Sequence, residues 1–348
     1  MGSGPLGPAP RVMTRTLGGR WAAAPAAAGP AVAPARRRAR RRSAWRRRLT
    51  VLSMLAPWLI GLAVFFGYPL VSTAYLSFTH YDLLSSARWV GLGNYRYMGH
   101  DPYFWPAVRN SLWMICIATP LTVAFAFCAA QVLTKIRRGA GVFRTVFYLP
   151  TLVPPVAATL GFLVLLRPSG AVDRLLGLLH LPQPLWFDDP RYSKPALTLL
   201  GMWGIGSIMI IFLASLLDVP EDLYEAAEID GANAWHKMRY VTLPTISPVI
   251  LFAAVTGMID ALQYFTQGYV AAVVAGGQES GAGAGSSLGY PLTSTLFFPT
   301  WLYQQGFQYF NMGYAAAMSV VLFGAALVVV LILLATSKRW VHTAGGFR

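Results

Sequence analysis

Charge is what this 348-residue sequence has least of: 12% of its residues are Asp, Glu, Lys or Arg, against 55% hydrophobic. Soluble domains carry about a quarter charged residues. A chain with half that share, and unbroken apolar runs of about 20 residues, is excluded from the ordinary globular classes and belongs in lipid. Cysteine is nearly missing too. Cys116 and Cys128 lie far apart in one apolar run, which excludes a disulfide or thiolate metal site and leaves them as packing residues. The five histidines (His80, His100, His180, His236 and His342) are scattered with no ligand spacing, so no metal site is expected. No cluster of Asp, Glu, His or Cys marks an enzyme centre, and no residue is assigned as catalytic. A Gly-x-x-x-x-Gly-Lys-Ser/Thr phosphate-binding loop is also absent, so no cofactor is expected to be bound by this chain.

Acids are missing altogether from residues 1–48, which hold 12 arginines, among them Arg36, Arg37, Arg38, Arg40, Arg41, Arg42, Arg46, Arg47 and Arg48. The rest of the chain is nearly balanced, with 16 basic and 13 acidic residues. A basic tail of this kind can bind nucleic acid, but beside a membrane span it is read as holding the N-terminus in the cytoplasm against anionic lipid, with no nucleic-acid partner. Its Ala/Pro/Gly-rich composition reads as disordered. The apolar run that follows is too long for a signal peptide and has no small-residue cleavage site.

Six apolar runs are long enough to cross roughly 30 Å of hydrocarbon as helices, at about 50–77, 107–134, 142–166, 195–217, 246–274 and 312–337. Lys135, Arg137, Arg138 and Arg144 stand in the loop after the second run, and Lys338 and Arg339 follow the last. With the Arg-rich tail, these place both termini and the loop at 218–245 in the cytoplasm. The last outer loop, with Gly276, Gly277, Gly281, Gly283 and Gly285, reads as a flexible linker. The expected organisation is all-α: a disordered tail (1–48), a first span with its outer loop (49–106), a transmembrane core (107–337) and a cytoplasmic C-terminus (338–348).

Residues 218–248 read DVPEDLYEAAEIDGANAWHKMRYVTLPTISP and contain six of the 13 acidic residues. Asp218 with Glu221 three residues on has the form of a capping box, and Pro220 suits a first turn. A helix should run to about Ile229, turn at Asp230-Gly231, and resume from Ala232 towards Thr242 before Leu243-Pro244 ends it. Ala226, Ala227, Gly231 and Ala232 at the bend would let another protein's backbone come close. On these signals alone, a solvated connector with no partner fits equally well.

The same residues resemble the EAA motif of bacterial ABC import permeases, E-A-A-x-x-D-G-A followed by L-P-x-x-x-P. Glu225, Ala226, Ala227, Asp230, Gly231, Ala232, Leu243, Pro244 and Pro248 occupy its fixed places. Met238 stands where the family usually has Phe. Val90-Gly91-Leu92-Gly93-Asn94-Tyr95, the stretch from Phe143-Arg144-Thr145 through Pro154-Pro155, and Asn311-Met312-Gly313-Tyr314-Ala315-Ala316-Ala317 resemble further signatures of the carbohydrate-uptake group, similar to MalF and UgpA. The resemblance covers residue 50 to the end. It departs near Phe162, where the family often has Trp, and near Asp173, where it often has Asn; both leave the solute open. The resemblance implies a type I ABC importer permease fold of six transmembrane helices. It also implies a second permease subunit as heterodimer partner, a pair of ABC ATPase subunits seated on the EAA loop, and an extracytoplasmic solute-binding protein.

The solute path is expected where polar groups interrupt an apolar span. In the fifth run, Asp260, Gln263 and Gln267 recur at helical spacing on one face, with Tyr264, Phe265 and Tyr269 as aromatic surface for a sugar ring. Trp203 in the fourth run is a weaker candidate. The alternative is that these groups only hydrogen-bond neighbouring helices. That face carries no Lys or Arg, which favours a mono- or oligosaccharide over glycerol-3-phosphate or another anion. An ion-coupled secondary transporter would need coupled intramembrane charges, whereas Asp260 is nearly alone.

Overall fold

The computed structural model describes residues 50–136, 138–280, 288–339 and 341. The expected tail (1–48), most of the C-terminal segment, and Gly281, Gly283 and Gly285 of the expected linker lie outside the described residues. The chain divides into two compact units, Met1–Phe66 and Gly67–Arg348. The described part of the first, residues 50–66, is helical without a buried residue, and exposes Met54, Trp58, Ile60 and Phe65.

The second unit has, among its described residues, helices, loops and one two-stranded ladder, Thr79–His80 paired antiparallel with Arg88–Trp89. Among the described residues, four helical stretches have the length and apolar composition to cross a membrane: Thr50–Leu76, Phe104–Thr134, Pro155–Leu178 and Met312–Ser337. Two bent pairs raise the number to six if each is one span: Pro190–Trp203 with Gly206–Leu217 (52°), and Ala234–Thr245 with Ser247–Leu262 (68°). Val328, Leu331, Ile332 and Leu334 of the last helix stay exposed, a face suited to lipid or another apolar surface. Cys116 and Cys128 are also exposed and unpaired, so they do not pack the interior as expected.

Proline shapes these helices in a repeated way. Three π-helical turns, Ala63–Gly67, Met114–Ala118 and Met238–Thr242, each end two residues before a proline, namely Pro69, Pro120 and Pro244. A proline offers no N–H and its ring crowds the carbonyl four residues back. Widening the preceding turn relieves both while the helix continues. The third run, expected as one helix over 142–166, is instead divided. A helix over Ala140–Tyr148 and a tight turn over Leu149–Leu152 end at Val153, and a new helix starts at Pro155. Pro154 and Pro155 together remove two adjacent donors, more than a widened turn absorbs.

The core is layered along the second span. At its start, Phe104 and Ala107 pack on Leu296, Phe298, Trp301, Tyr314 and Ala317. At its middle, Met114, Ile115 and Ala118 meet Leu163, Leu197, Leu200, Ala261 and Phe297. At its end, Ala126, Ala130 and Leu133 meet Met209, Phe212, Leu213, Ile246 and Ala253. The segment after residue 287 is tied down, contrary to a flexible linker. Asn110 Nδ2 donates to the carbonyls of Thr293 (2.7 Å) and Leu296 (2.9 Å), and the Phe298 amide donates to Ser111 Oγ (2.9 Å). Gly276 and Gly277, expected in the linker, are helical.

Asp101 closes the first layer. Its carboxylate is 2% exposed and accepts from Trp301 Nε1 (2.7 Å), the Tyr314 hydroxyl (2.6 Å) and the Tyr103 amide (2.9 Å). Asp101→Leu would strand all three donors, and is expected to lower stability by about 3 kcal/mol. Thermal unfolding of the purified variant in detergent measures the loss, and Asp101→Asn, which keeps one acceptor, should lose less.

Candidate functional site

Two regions carry the chemistry: the polar loop after the fourth span, and a cavity among the broken helices. In the loop, a helix runs over Glu221–Ile229, as the sequence predicts. Its start differs from the expected capping box. Asp218 ends the preceding helix, Pro220 takes the cap position, and no side chain caps the amides. Glu221 and Asp222 in the first turn complement the positive end of the helix instead. At the other end, Gly231 adopts φ +77°, the Gly231 amide donates to the Glu228 carbonyl (3.0 Å), and the Ala232 amide donates to the Ala227 carbonyl (2.8 Å). This is a Schellman stop, and it needs a residue without Cβ at Gly231.

The second helix begins later than expected, over Ala234–Lys237, because Asn233 Oδ1 caps it by accepting from the His236 amide (2.9 Å). It continues through the π turn and Leu243–Thr245, then bends at the fully buried Ile246 into Ser247–Leu262. Glu225, Ala226, Asp230, Gly231 and Pro248 are exposed; Ala227, Ala232, Leu243 and Pro244 are half-buried. Met238 lies against the end of the second span, with Gln131 Nε2 3.6 Å from its sulfur. Sequence reasoning passed over Ile229, 88% exposed, and Trp235, 67% exposed. Large apolar residues standing free in a charged loop were the available signal.

The cavity holds about 790 Å³ and is lined where helices depart from regularity. Met114 and Ala118 come from the π turn of the second span, and Pro150, Thr151 and Val153 from the broken third. Trp203, Gly204 and Ile205 come from the bend of the fourth, and Gln263 and Tyr264 from a gap in the fifth. That gap is a second departure from expectation. The run at 246–274 is not one helix; it stops at Leu262 and restarts at Thr266, as the Tyr264 ring turns inward onto Phe297 (5.1 Å).

The expected single helical face therefore does not exist. Asp260, Gln263 and Gln267 nonetheless line the same cavity from either side of the gap. The aromatic set is divided. Tyr264 joins the cavity wall with its hydroxyl unpaired, whereas Phe265 and Tyr269 are not part of the lining and stack on each other (5.4 Å) and against Tyr303. Trp203 lines the cavity and also packs on Phe162 (5.7 Å). Sequence reasoning missed the hydroxyls of Thr119, Thr122, Thr198 and Thr256, which also line it; threonines inside apolar runs give little signal by themselves. No lysine or arginine is among the lining residues.

Residues 122–342 match the model of the binding-protein-dependent transport system inner membrane component family. The chain belongs to this family. The permease is 34% identical over 293 residues to the probable ABC transporter permease protein YesP of Bacillus subtilis, covering 83% of this chain and 91% of YesP. It is 32% identical over 290 residues to the arabinooligosaccharides transport system permease protein AraP of the same organism (81% and 86%). Among solved structures, a bacterial ABC transporter that imports the acidic polysaccharide alginate aligns with a TM-score of 0.70 at 22% identity, covering 86% of this permease and 99% of that chain. The shared fold is that of an ABC importer permease.

One close approach shapes the cavity wall. A Cβ on Gly257 would meet Thr119 Cγ2 at 2.7 Å, so the fifth span crosses the second with no room for a side chain. Gly257→Leu is expected to force the two spans apart and destabilise the permease by about 1–3 kcal/mol. A lower midpoint in thermal unfolding of the detergent-solubilised variant would register this.

Proposed function

We propose that this permease is one of two membrane subunits of an ATP-driven importer, and that it passes a hydroxyl-rich carbohydrate, a mono- or oligosaccharide, through the cavity at its helix breaks. The observation that carries this reading is the lining. One carboxylate (Asp260), two amides (Gln263 and Gln267) and several threonine hydroxyls surround a space of about 790 Å³, with no basic residue among them. Carboxylate and amide oxygens accept from sugar hydroxyls, and amide N–H groups donate to them. An anion such as glycerol-3-phosphate would meet Asp260 and no compensating cation. The AraP relative, whose name gives arabinooligosaccharides as its solute, supports the carbohydrate class.

The chain itself catalyses nothing on this reading and binds no cofactor. ATP is hydrolysed by a partner subunit, because no phosphate-binding loop exists in the sequence. The loop at 218–248 is the seat for that ATPase, with Glu225, Ala226, Asp230 and Gly231 at its bend and Ile229 and Trp235 as exposed apolar anchors. An extracytoplasmic binding protein delivers the solute, and both termini lie in the cytoplasm with the loop. ATP-driven closure of the ATPase pair then biases the spans between two packed states.

Trp235→Ala and Ile229→Asp are expected to weaken ATPase association by about 2 kcal/mol each while leaving the permease folded, since neither side chain is buried. Co-purification of the ATPase with each variant checks this, and undiminished recovery would remove the loop from docking. Asp260→Ala should lower uptake of an arabino-oligosaccharide by reconstituted proteoliposomes about tenfold, the worth of a hydrogen bond to a charged group. Assembly should be intact in that variant, and unchanged uptake would take Asp260 out of the path.

A further inference from the structure

The loop's two helices are short, Glu221–Ile229 and Ala234–Thr245, the second interrupted by a π turn. Helices of this length are marginal unless tertiary contacts hold them. Their junction contains Gly231, exposed and with open space around the position a Cβ would take. At the bend, the two backbone hydrogen bonds of the Schellman stop fix the end of the first helix and do not by themselves fix the angle of the second. A push on a flexing joint would be lost before it reached the fifth span.

Two side-chain links cross that junction. The Tyr224 hydroxyl lies 2.9 Å from Thr242 Oγ1, and Thr242 is 3% exposed at the foot of the fifth span. The Tyr224 ring packs on the core layer of Leu133 and Phe212, so the phenol is fixed at both ends. On the other side of the bend, Lys237 Nζ donates to Glu228 Oε1, joining the last turn of the first helix to the second. Lys237 is three-quarters covered and Glu228 is mostly exposed, so this pair contributes geometry more than stability. Neither Tyr224, Glu228, Lys237 nor Thr242 occupies one of the motif's fixed places.

We infer that Tyr224–Thr242 and Glu228–Lys237 are positioning residues that clamp the loop's two helices into one rigid lever joined to the foot of the fifth span. The inference rests on the reading of this loop as the ATPase seat, and deepens it. The exposed Ile229 and Trp235 lie at the bend, enclosed in sequence by both links. A force applied there reaches Thr242 and the buried Ile246 through the clamp without being absorbed at Gly231. The fifth span, which carries Asp260 and Gln263 into the cavity, then moves with the loop.

The test uses the complete complex in nanodiscs. Spin labels go on Asp222→Cys and Arg239→Cys, both exposed, one on each side of the bend, in a background with the exposed Cys116 and Cys128 replaced by serine. Pulsed dipolar spectroscopy reads the distance distribution without nucleotide and after trapping with ADP and vanadate. A clamp gives one narrow distribution, the same in both states. Tyr224→Phe combined with Glu228→Gln should lose the narrow distribution while the ATPase still co-purifies. Glu228→Lys alone should lose it as well, and Glu228→Lys with Lys237→Glu should regain it. A distance that changes between the two states, an unaltered distribution in Tyr224→Phe/Glu228→Gln, or no recovery in the charge exchange overturns the clamp. Failure of the ATPase to co-purify with the labelled but otherwise unaltered chain overturns the docking reading itself, and the lever with it.

Discussion

A hydrocarbon solvent supplies no hydrogen-bond partner to a peptide group, and the architecture of this permease follows from that constraint. Regular helix can face lipid, as Val328 to Leu334 do in the last span. A broken helix cannot, and has to be buried or face water, whereas a π turn keeps its bonds within the helix and can stand exposed, as Ala63–Gly67 does. The irregular stretches at Met114–Ala118, Pro150–Val153, Trp203–Ile205 and Gln263–Tyr264 come from four different spans and line one cavity. Their convergence gathers the irregular turns and breaks of four spans around a single space. The same constraint explains why breaks are candidate sites: irregular backbone at membrane depth is tolerated where it lines a cavity.

Proline and glycine set where those departures fall, and they do so differently. A lone proline (Pro69, Pro120 or Pro244) widens the preceding turn into a π turn and lets the helix go on. The Pro154-Pro155 pair stops it. Counting apolar runs reads straight through both, which the structure supports at the single prolines and not at the pair. The gap at Gln263–Phe265 had no such marker. It arises because the Tyr264 ring packs on Phe297, a residue 33 positions away, and a long-range contact leaves no local trace in composition. The polar residues around the gap were readable as cavity-lining candidates because Asp260, Gln263 and Gln267 are costly in lipid wherever the helix stops; the break between them was not.

The loop was more readable than the cavity for a related reason. Its conformation is set by local rules: an acidic first turn, Gly231 at the Schellman stop, and Asn233 as the next cap. Each is decided within six residues, so a sequence can announce it. Asp218 was misread because Pro220, two residues on, took the cap position from it. What local rules could not give is the relation between the two helices, which depends on Tyr224 reaching Thr242 across 18 residues.

If the cavity is the solute path proposed above, its threonine lining bears on how such a path binds and still releases. Thr122, Thr198 and Thr256 each donate their hydroxyl to the carbonyl four residues back in their own helix, to Ala118, Lys194 and Phe252. Such a hydroxyl is satisfied while the cavity is empty, and keeps its lone pairs free to accept from a passing sugar. It therefore costs little to hold between turnovers and binds weakly when used. Asp260 and Gln263 are exposed in the cavity and have no comparable internal partner, so they gain more when a solute arrives. A lining of many weak acceptors around one strong one suits conduction, where a solute must be recognised without being kept. On that reading, moving the fifth span shifts the strong acceptor while Thr122 and Thr198 keep the bonds within their own helices.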